Sequence, residues 1–192
     1  MKTQVTTVCD LSKELPPDAP DAPEWLVKAL QVPREEGFIE SQGCDVHYFR
    51  WGNPENPPLL LLHGFLAHAR CMAFIAPFLA EKYHVVAYDL TGMGDSGVRD
   101  EYPDKVRAQE VVDVAQKTGL FDHAQKPIVI AHSYGGHVGI AAMNDHHELF
   151  GGLIICDLMV LRLERLQAHF AGGRPMRSDT SRPNRVYPNY AE

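Results

Sequence analysis

The chain of 192 residues has no long apolar run: Leu59–Leu62 and Ile128–Ala131 are among the longest, and charged or turn residues bound both. A membrane-crossing helix needs roughly 18 consecutive apolar residues, so no membrane span is expected. The first ten residues, M-K-T-Q-V-T-T-V-C-D, lack the apolar core of a secretory signal. Basic side chains are the minority, 18 Lys and Arg against 25 Asp and Glu, for a formal charge of -7. Neutralising phosphates takes a basic face, and this balance argues against a nucleic-acid partner. Cysteine is scarce as well. Cys9, Cys44, Cys71 and Cys156 show no C-x-x-C spacing, and two of them lie in apolar contexts. That suits reduced thiols in the cytoplasm better than a disulfide framework. What the chain does have is ordinary globular material, 45% apolar and 22% charged, enough for one domain with its own core.

Residues 1–36 carry P-P-D-A-P-D-A-P ahead of E-W-L-V-K-A-L, and read as an extended arm followed by a short amphipathic helix around Trp25–Leu30. Two strands follow, Gly37–Glu40 and Val46–Trp51, joined by the turn S-Q-G-C-D. Four apolar runs then recur at helix-plus-strand spacing: P-P-L-L-L-L-H-G, H-V-V-A-Y-D over 84–89, P-I-V-I-A-H over 127–132 and G-L-I-I-C-D over 152–157. Unbroken runs of this length suit strands buried on both faces, as in a parallel sheet. The clearest helix places Ala108, Val111, Val112 and Ala115 at i, i+3, i+4 and i+7, with Asp104, Lys105, Gln109 and Asp113 opposite. This alternation predicts an α/β fold over 37–157, a mostly parallel sheet of about six strands with flanking helices. After Asp157 a helix is expected over Leu161–Phe170, and 172–192 then hold three prolines, four arginines and no apolar run.

In an open parallel sheet the crevice lies beyond the carboxyl ends of the strands. Three such ends carry chemistry: His63-Gly64-Phe65, the run D-L-T-G-M-G-D-S from Asp89 to Ser96, and Ala131-His132-Ser133-Tyr134-Gly135-Gly136. The third is the sharpest. A serine between a buried strand and a glycine-rich helix start, with small residues two before and two after it, meets the steric requirements of a nucleophile elbow. Its hydroxyl would project above the sheet, with a helix N-terminus behind it that favours developing negative charge. Phe65, Leu66, Met72 and Phe74 either line an apolar substrate pocket or belong to the core. His63, His68, His132 and His137 lie on different elements with no i, i+4 pair, so no metal is expected, and nothing calls for a cofactor.

Together the H-G-F, D-L-T-G-M-G-D-S and H-S-Y-G-G blocks, each after its own apolar strand, resemble the α/β-hydrolase superfamily from about Gly37 to Asp157. The usual G-x-S-x-G reads A-H-S-Y-G here, with Ala131 small enough for the turn. The resemblance implies that Ser133 is the nucleophile and that the backbone N–H groups of Tyr134 and Phe65 form the oxyanion hole. It implies that His63 braces the oxyanion loop, and that His63, Phe65 and His132 border the substrate. The loop from Asp89 to Ser96 is then structural, with Gly92 and Gly94 permitting the turn and Asp95 and Ser96 hydrogen-bonding it. Members that displace halide or open epoxides use an aspartate at the elbow. A serine favours acyl chemistry on an ester, thioester, lactone or activated carbon–carbon bond, through an acyl-enzyme made from a small-molecule acyl substrate.

The family's order is Ser, then Asp or Glu, then His, the acid usually after the seventh strand and the histidine after the eighth. Six expected strands leave the last two missing. Asp157 ends the sixth, where some members carry the acid; the other reading is a loop carboxylate capping the next helix. His169 is the only later histidine and reads as a polar position on a lid helix, while His137, His146 and His147 follow the serine too closely. Residues 158–192 resemble the beginning of the family's lid. The chain is therefore expected to be a truncated product of a larger hydrolase, inactive in this form, with an exposed apolar sixth strand open to self-association. Two further readings stay open: a catalytically dead hydrolase-fold protein that binds a ligand or partner, and an acyltransferase using the same Ser133 intermediate.

Overall fold

The structure, a computed structural model, describes residues 5–8 and 22–158. Its strands are β1 Val5–Val8, β2 Arg34–Ser41, β3 Cys44–Trp51, β4 Pro58–Leu62, β5 His84–Tyr88, β6 Ile128–His132 and β7 Gly152–Cys156. They form one seven-stranded sheet in the order β1-β2-β3-β5-β4-β6-β7. β4 to β7 are parallel, and β1, β2 and β3 extend the sheet by antiparallel pairing. The helices are α1 Glu24–Leu30, α2 Ala76–Ala80, α3 Asp104–Lys117 and α4 Tyr134–His146.

The expected α/β sheet with flanking helices is present. The strand count is corrected from six to seven, because Val5–Val8 pairs with Arg34–Gly37. Four residues of V-T-T-V are too few to show a period, and a partner far along the chain makes them a strand. β2 likewise begins at Arg34, before the expected start of the sheet at Gly37. Its first three residues, Arg-Glu-Glu, look like surface. Yet Arg34 is 3% exposed, with its guanidinium 4.7 Å from the Phe49 ring centroid. The hairpin turn is Gln42-Gly43, both at positive φ (48° and 77°), the two-residue geometry that matches strand twist.

Alternation along β4 shows how the central strands are buried on both faces. By contrast, β6 and β7 leave Ile128, Ile154 and Ile155 exposed, which corrects the two-sided burial expected of their apolar runs. Leu60 and Leu62 join Val86, Tyr88 and the inward side of α3 and α4 in one apolar layer. Leu59 and Leu61 join Phe49, Trp51, Val85 and Ala87 in the other, against Ala73 and Ala76. All five residues of β4 and of β5 are buried, as continuous apolar strands between two helical layers must be. The helix expected over 161–170, with His169, lies outside the described residues. No helix among the described residues is long and apolar enough to cross a membrane.

Candidate active site

β4, β6 and β7 lie side by side, and the chain just past their carboxyl ends is strained. Among the described residues, Leu66 (φ 56°), Ser133 (φ 49°) and Asp157 (φ 57°) are three of the four non-glycine residues with positive φ, the fourth being Gln42 in the hairpin turn. Left-handed backbone is unfavourable for such residues and concentrates where the surrounding structure over-determines the chain, commonly at functional sites.

Ser133 sits between β6 and α4 at φ 49°, ψ -116°. Its N–H donates to the Cys156 carbonyl at 2.9 Å, and its own carbonyl accepts from Gly136 N–H at 2.8 Å. The neighbouring residues are small for visible reasons. A Cβ on Gly135 would lie 2.6 Å from the His63 carbonyl oxygen and 2.9 Å from that of Leu62. A Cβ on Gly64 would lie 2.9 Å from His132 Nδ1 and 3.4 Å from Ser133 Cβ. The H-G-F and H-S-Y-G blocks, which start 69 positions apart in the chain, thus meet in space. The Phe65 and Tyr134 rings meet edge-on at 5.7 Å. Among the described residues, neither Phe65 N–H nor Tyr134 N–H is spent on a backbone carbonyl.

His63 lies behind this surface, completely buried. Its Nε2 accepts from Leu90 N–H at 3.0 Å, which puts the proton on Nδ1, 2.8 Å from the Gly64 carbonyl. Burial holds its pKa below the usual histidine value, so the ring is neutral. Both nitrogens are engaged and the ring is fully buried, so neither nitrogen is open to a substrate. His132 is exposed, with its ring beside Gly64. Asp157 is exposed one residue past Cys156, whose carbonyl holds Ser133 N–H. Among the described residues, no side-chain hydrogen bond joins the Ser133 hydroxyl to a histidine or to Asp157.

Beneath the site are two buried polar clusters that the sequence reading did not contain. In the first, His47 Nδ1 donates to Asp89 at 2.8 Å and Nε2 to Glu36 at 3.1 Å. Burial alone would lower the His47 pKa, but the hydrogen bonds and charges of Asp89 and Glu36 outweigh it and raise the pKa. Asp89 accepts from His47 and from the N–H groups of Ala69 and Asp95; these outweigh its own burial and lower its pKa. The turn is therefore held by Asp95's backbone and by the Ser96 hydroxyl, which donates to the Asp89 carbonyl at 2.6 Å. A methyl on Gly94 (φ 55°) would collide with the Asp89 carboxylate. His47, Asp89 and Asp95 offer atoms within 4.8 Å of one another that a metal ion could share. His47 and Asp89, however, already satisfy each other.

The second cluster joins α3 to the same loop. Arg107 donates to the Thr91 hydroxyl at 3.0 Å, to the Thr91 carbonyl at 2.9 Å and to Glu110 at 3.2 Å. Glu110 also accepts from the Thr91 hydroxyl and N–H. The Arg107 guanidinium lies 4.5 Å from the Tyr102 ring and 6.0 Å from that of Tyr134. The available signal was Arg107 and Glu110 at i, i+3, flanking Ala108 on the apolar face of α3.

The alpha/beta hydrolase family model matches residues 59–191. A human protein described as a serine hydrolase-like protein is 31% identical over 151 residues, which are 76% of this chain and 68% of that one. The soluble epoxide hydrolase of Corynebacterium sp. (strain C12) is 31% identical over 118 residues, 61% of this chain and 39% of that one. Among solved structures, the thioesterase domain from the curacin biosynthetic pathway superposes with a TM-score of 0.59 at 28% identity, covering 71% of this chain and 52% of that one. The chain spans 30–41% of the length of three further curated relatives, all hydrolases.

Proposed function

The chain belongs to the alpha/beta hydrolase family, and on that premise we propose that it carries the nucleophilic half of a serine hydrolase for acyl substrates. The observation that carries this reading is Ser133 at φ 49° on the turn between β6 and α4, beside the Phe65 and Tyr134 N–H groups, which no backbone carbonyl among the described residues takes. Ser133 Oγ attacks an ester, thioester or lactone carbonyl, giving its proton to a histidine base outside the described residues. That proton then goes to the alcohol or thiol that departs as the acyl-enzyme forms. Phe65 N–H and Tyr134 N–H take the developing oxyanion, each such donor being worth about 3–4 kcal/mol of barrier. His63 keeps the Phe65 loop in register, and Asp157 is the candidate acid among the described residues. Relatives of this chain include epoxide hydrolases as well as a serine hydrolase-like protein. The serine at the elbow favours the acyl reading over epoxide opening.

A second reading rests on one observation, the absence of a described histidine hydrogen-bonded to the Ser133 hydroxyl. Without a base, the same site binds a ligand without turning it over. A fluorophosphonate probe separates the two. An oxyanion hole and binding site acting without a full triad still give about 10³–10⁴-fold catalysis over water, so Ser133 is expected to form a slow adduct. Intact-mass and peptide mapping should place it on Ser133, and Ser133→Ala should abolish it. An adduct spread over several serines, or none, would refute the nucleophile assignment. Steady-state hydrolysis of a p-nitrophenyl ester is expected not to rise above that residual level. Turnover above it that vanishes in Ser133→Ala would bring back His169 or a histidine from another chain as base.

A further inference from the structure

The lip of the candidate site is apolar and open to solvent. Phe65 is 64% and Leu66 81% exposed. Neither belongs to the two apolar layers that sandwich the sheet, so the core reading that the sequence left open does not hold for either residue. Leu66 also holds φ 56°, a conformation leucine rarely adopts. Folding thus leaves two large apolar side chains uncovered and strains one of them, beside a turn that is itself strained. Apolar surface gains free energy only when another apolar group covers it. The cation that packs on Tyr134, Arg107, is 3% exposed and engaged by Thr91 and Glu110. It offers nothing to a carboxylate on an acyl chain.

Resting on the Ser133 reading above, we propose that the acyl group this site takes is apolar, a chain or ring of four or more carbons lying across Phe65, Leu66 and Tyr134. Binding is measured on the full 192-residue chain carrying Ser133→Ala, titrated with p-nitrophenyl acetate, butyrate and hexanoate, so that affinity is read without turnover. Each buried methylene should tighten binding about fourfold, so hexanoate should gain at least about tenfold over acetate even if only two of its four extra methylenes are covered. Adding Phe65→Ala is expected to weaken hexanoate about tenfold and acetate less than about twofold. Adding Leu66→Asn should flatten the series without lowering Tm, because asparagine tolerates left-handed backbone.

A series that is flat in the parent chain overturns the proposal. So does one that neither substitution changes. The nucleophile is tested separately by the fluorophosphonate adduct. If the adduct is missing but the chain-length series is intact and sensitive to Phe65→Ala, the nucleophile assignment falls and the apolar site stands.

Discussion

Gly135→Ala and Gly152→Ala make the same chemical change and are expected to shift stability in opposite directions. At Gly135 the added methyl would lie 2.6 Å from the His63 carbonyl oxygen, 2.9 Å from the Leu62 carbonyl oxygen and 2.9 Å from Leu62 Cβ. Two of the three obstacles are backbone of β4 and its exit, so no side-chain rotation relieves the clash. Forcing an extra methyl into such a site costs about 1–3 kcal/mol, and the rigidity here places Gly135 in the upper part of that range. At Gly152 a Cβ meets nothing within 4 Å, and φ is not positive. There alanine reduces the freedom of the unfolded chain and stabilises by about 0.4–1 kcal/mol. For a chain of this length each kcal/mol moves Tm by roughly 2–4 °C. Thermal unfolding followed by circular dichroism should therefore show Gly135→Ala lower by about 4–12 °C and Gly152→Ala unchanged or slightly higher. If Gly135→Ala melts within about 2 °C of the parent, the elbow is not packed against β4 as described.

His47 gives a pH-dependent prediction. Its folded pKa is raised, so its contribution is full below about pH 6.5 and is lost as pH rises through the folded value. His47→Gln should flatten the fall in Tm as pH rises above about 6.5, and parallel curves would refute the assignment. Asp89 acts in the opposite direction, its contribution being lost on acidification below about pH 4 through its lowered folded value. Glu110→Ala strands the buried Arg107 cation and should cost about 3–5 kcal/mol in urea unfolding, whereas Arg107→Met with Glu110→Leu should cost less. A double variant no better than the single would show that the pair is not the main issue. β7 lies at one edge of the sheet, with Ile154 51% and Ile155 38% exposed. We therefore expect oligomers on gel filtration, and a cooperatively melting monomer would overturn that.

The parts of the fold most legible in the sequence are the central strands, whose burial is two-sided: Leu59–Leu62 and Val85–Tyr88 are buried at every position, so the runs announce themselves. Ile128–Ala131 is equally apolar in sequence but buries only Val129 and Ala131 fully, so an apolar run marks a strand without fixing how much of it is covered. The elbow was legible because sterics leave few choices: only glycine fits at 135, between α4 and the His63 carbonyl. Val5–Val8 was not legible, since its strand character comes entirely from pairing with Arg34–Gly37. The buried ion chain was not legible either. Glu36, His47 and Asp89 are polar residues on three strands or strand ends, and only the sheet order brings them together. Asp157 could be placed at a strand end from its sequence, but its left-handed backbone and its position beside the Cys156–Ser133 hydrogen bond needed coordinates.

The loop that would carry one oxyanion donor is pinned at both ends by two consecutive residues of the β5 exit. At its start, His63 Nε2 accepts from Leu90 N–H. At its end, Ala69 N–H donates to the Asp89 carboxylate. Residues 64–68, including Phe65 and the strained Leu66, span the gap between these pins. That explains how a leucine at φ 56° persists with its side chain in solvent: the strain is local, and both anchors are buried polar contacts that cannot be exchanged for water without cost. One anchor is neutral and one is charged. Asp89 holds Ala69 as an anion, and the His47 imidazolium makes that anion affordable in the interior. The loop should therefore loosen from its Ala69 end when His47 loses its proton, while the His63 end stays fixed. Amide hydrogen exchange in His47→Gln should rise at 66–70 more than at 62–64. Uniform exchange across the loop would mean that the two pins are not independent.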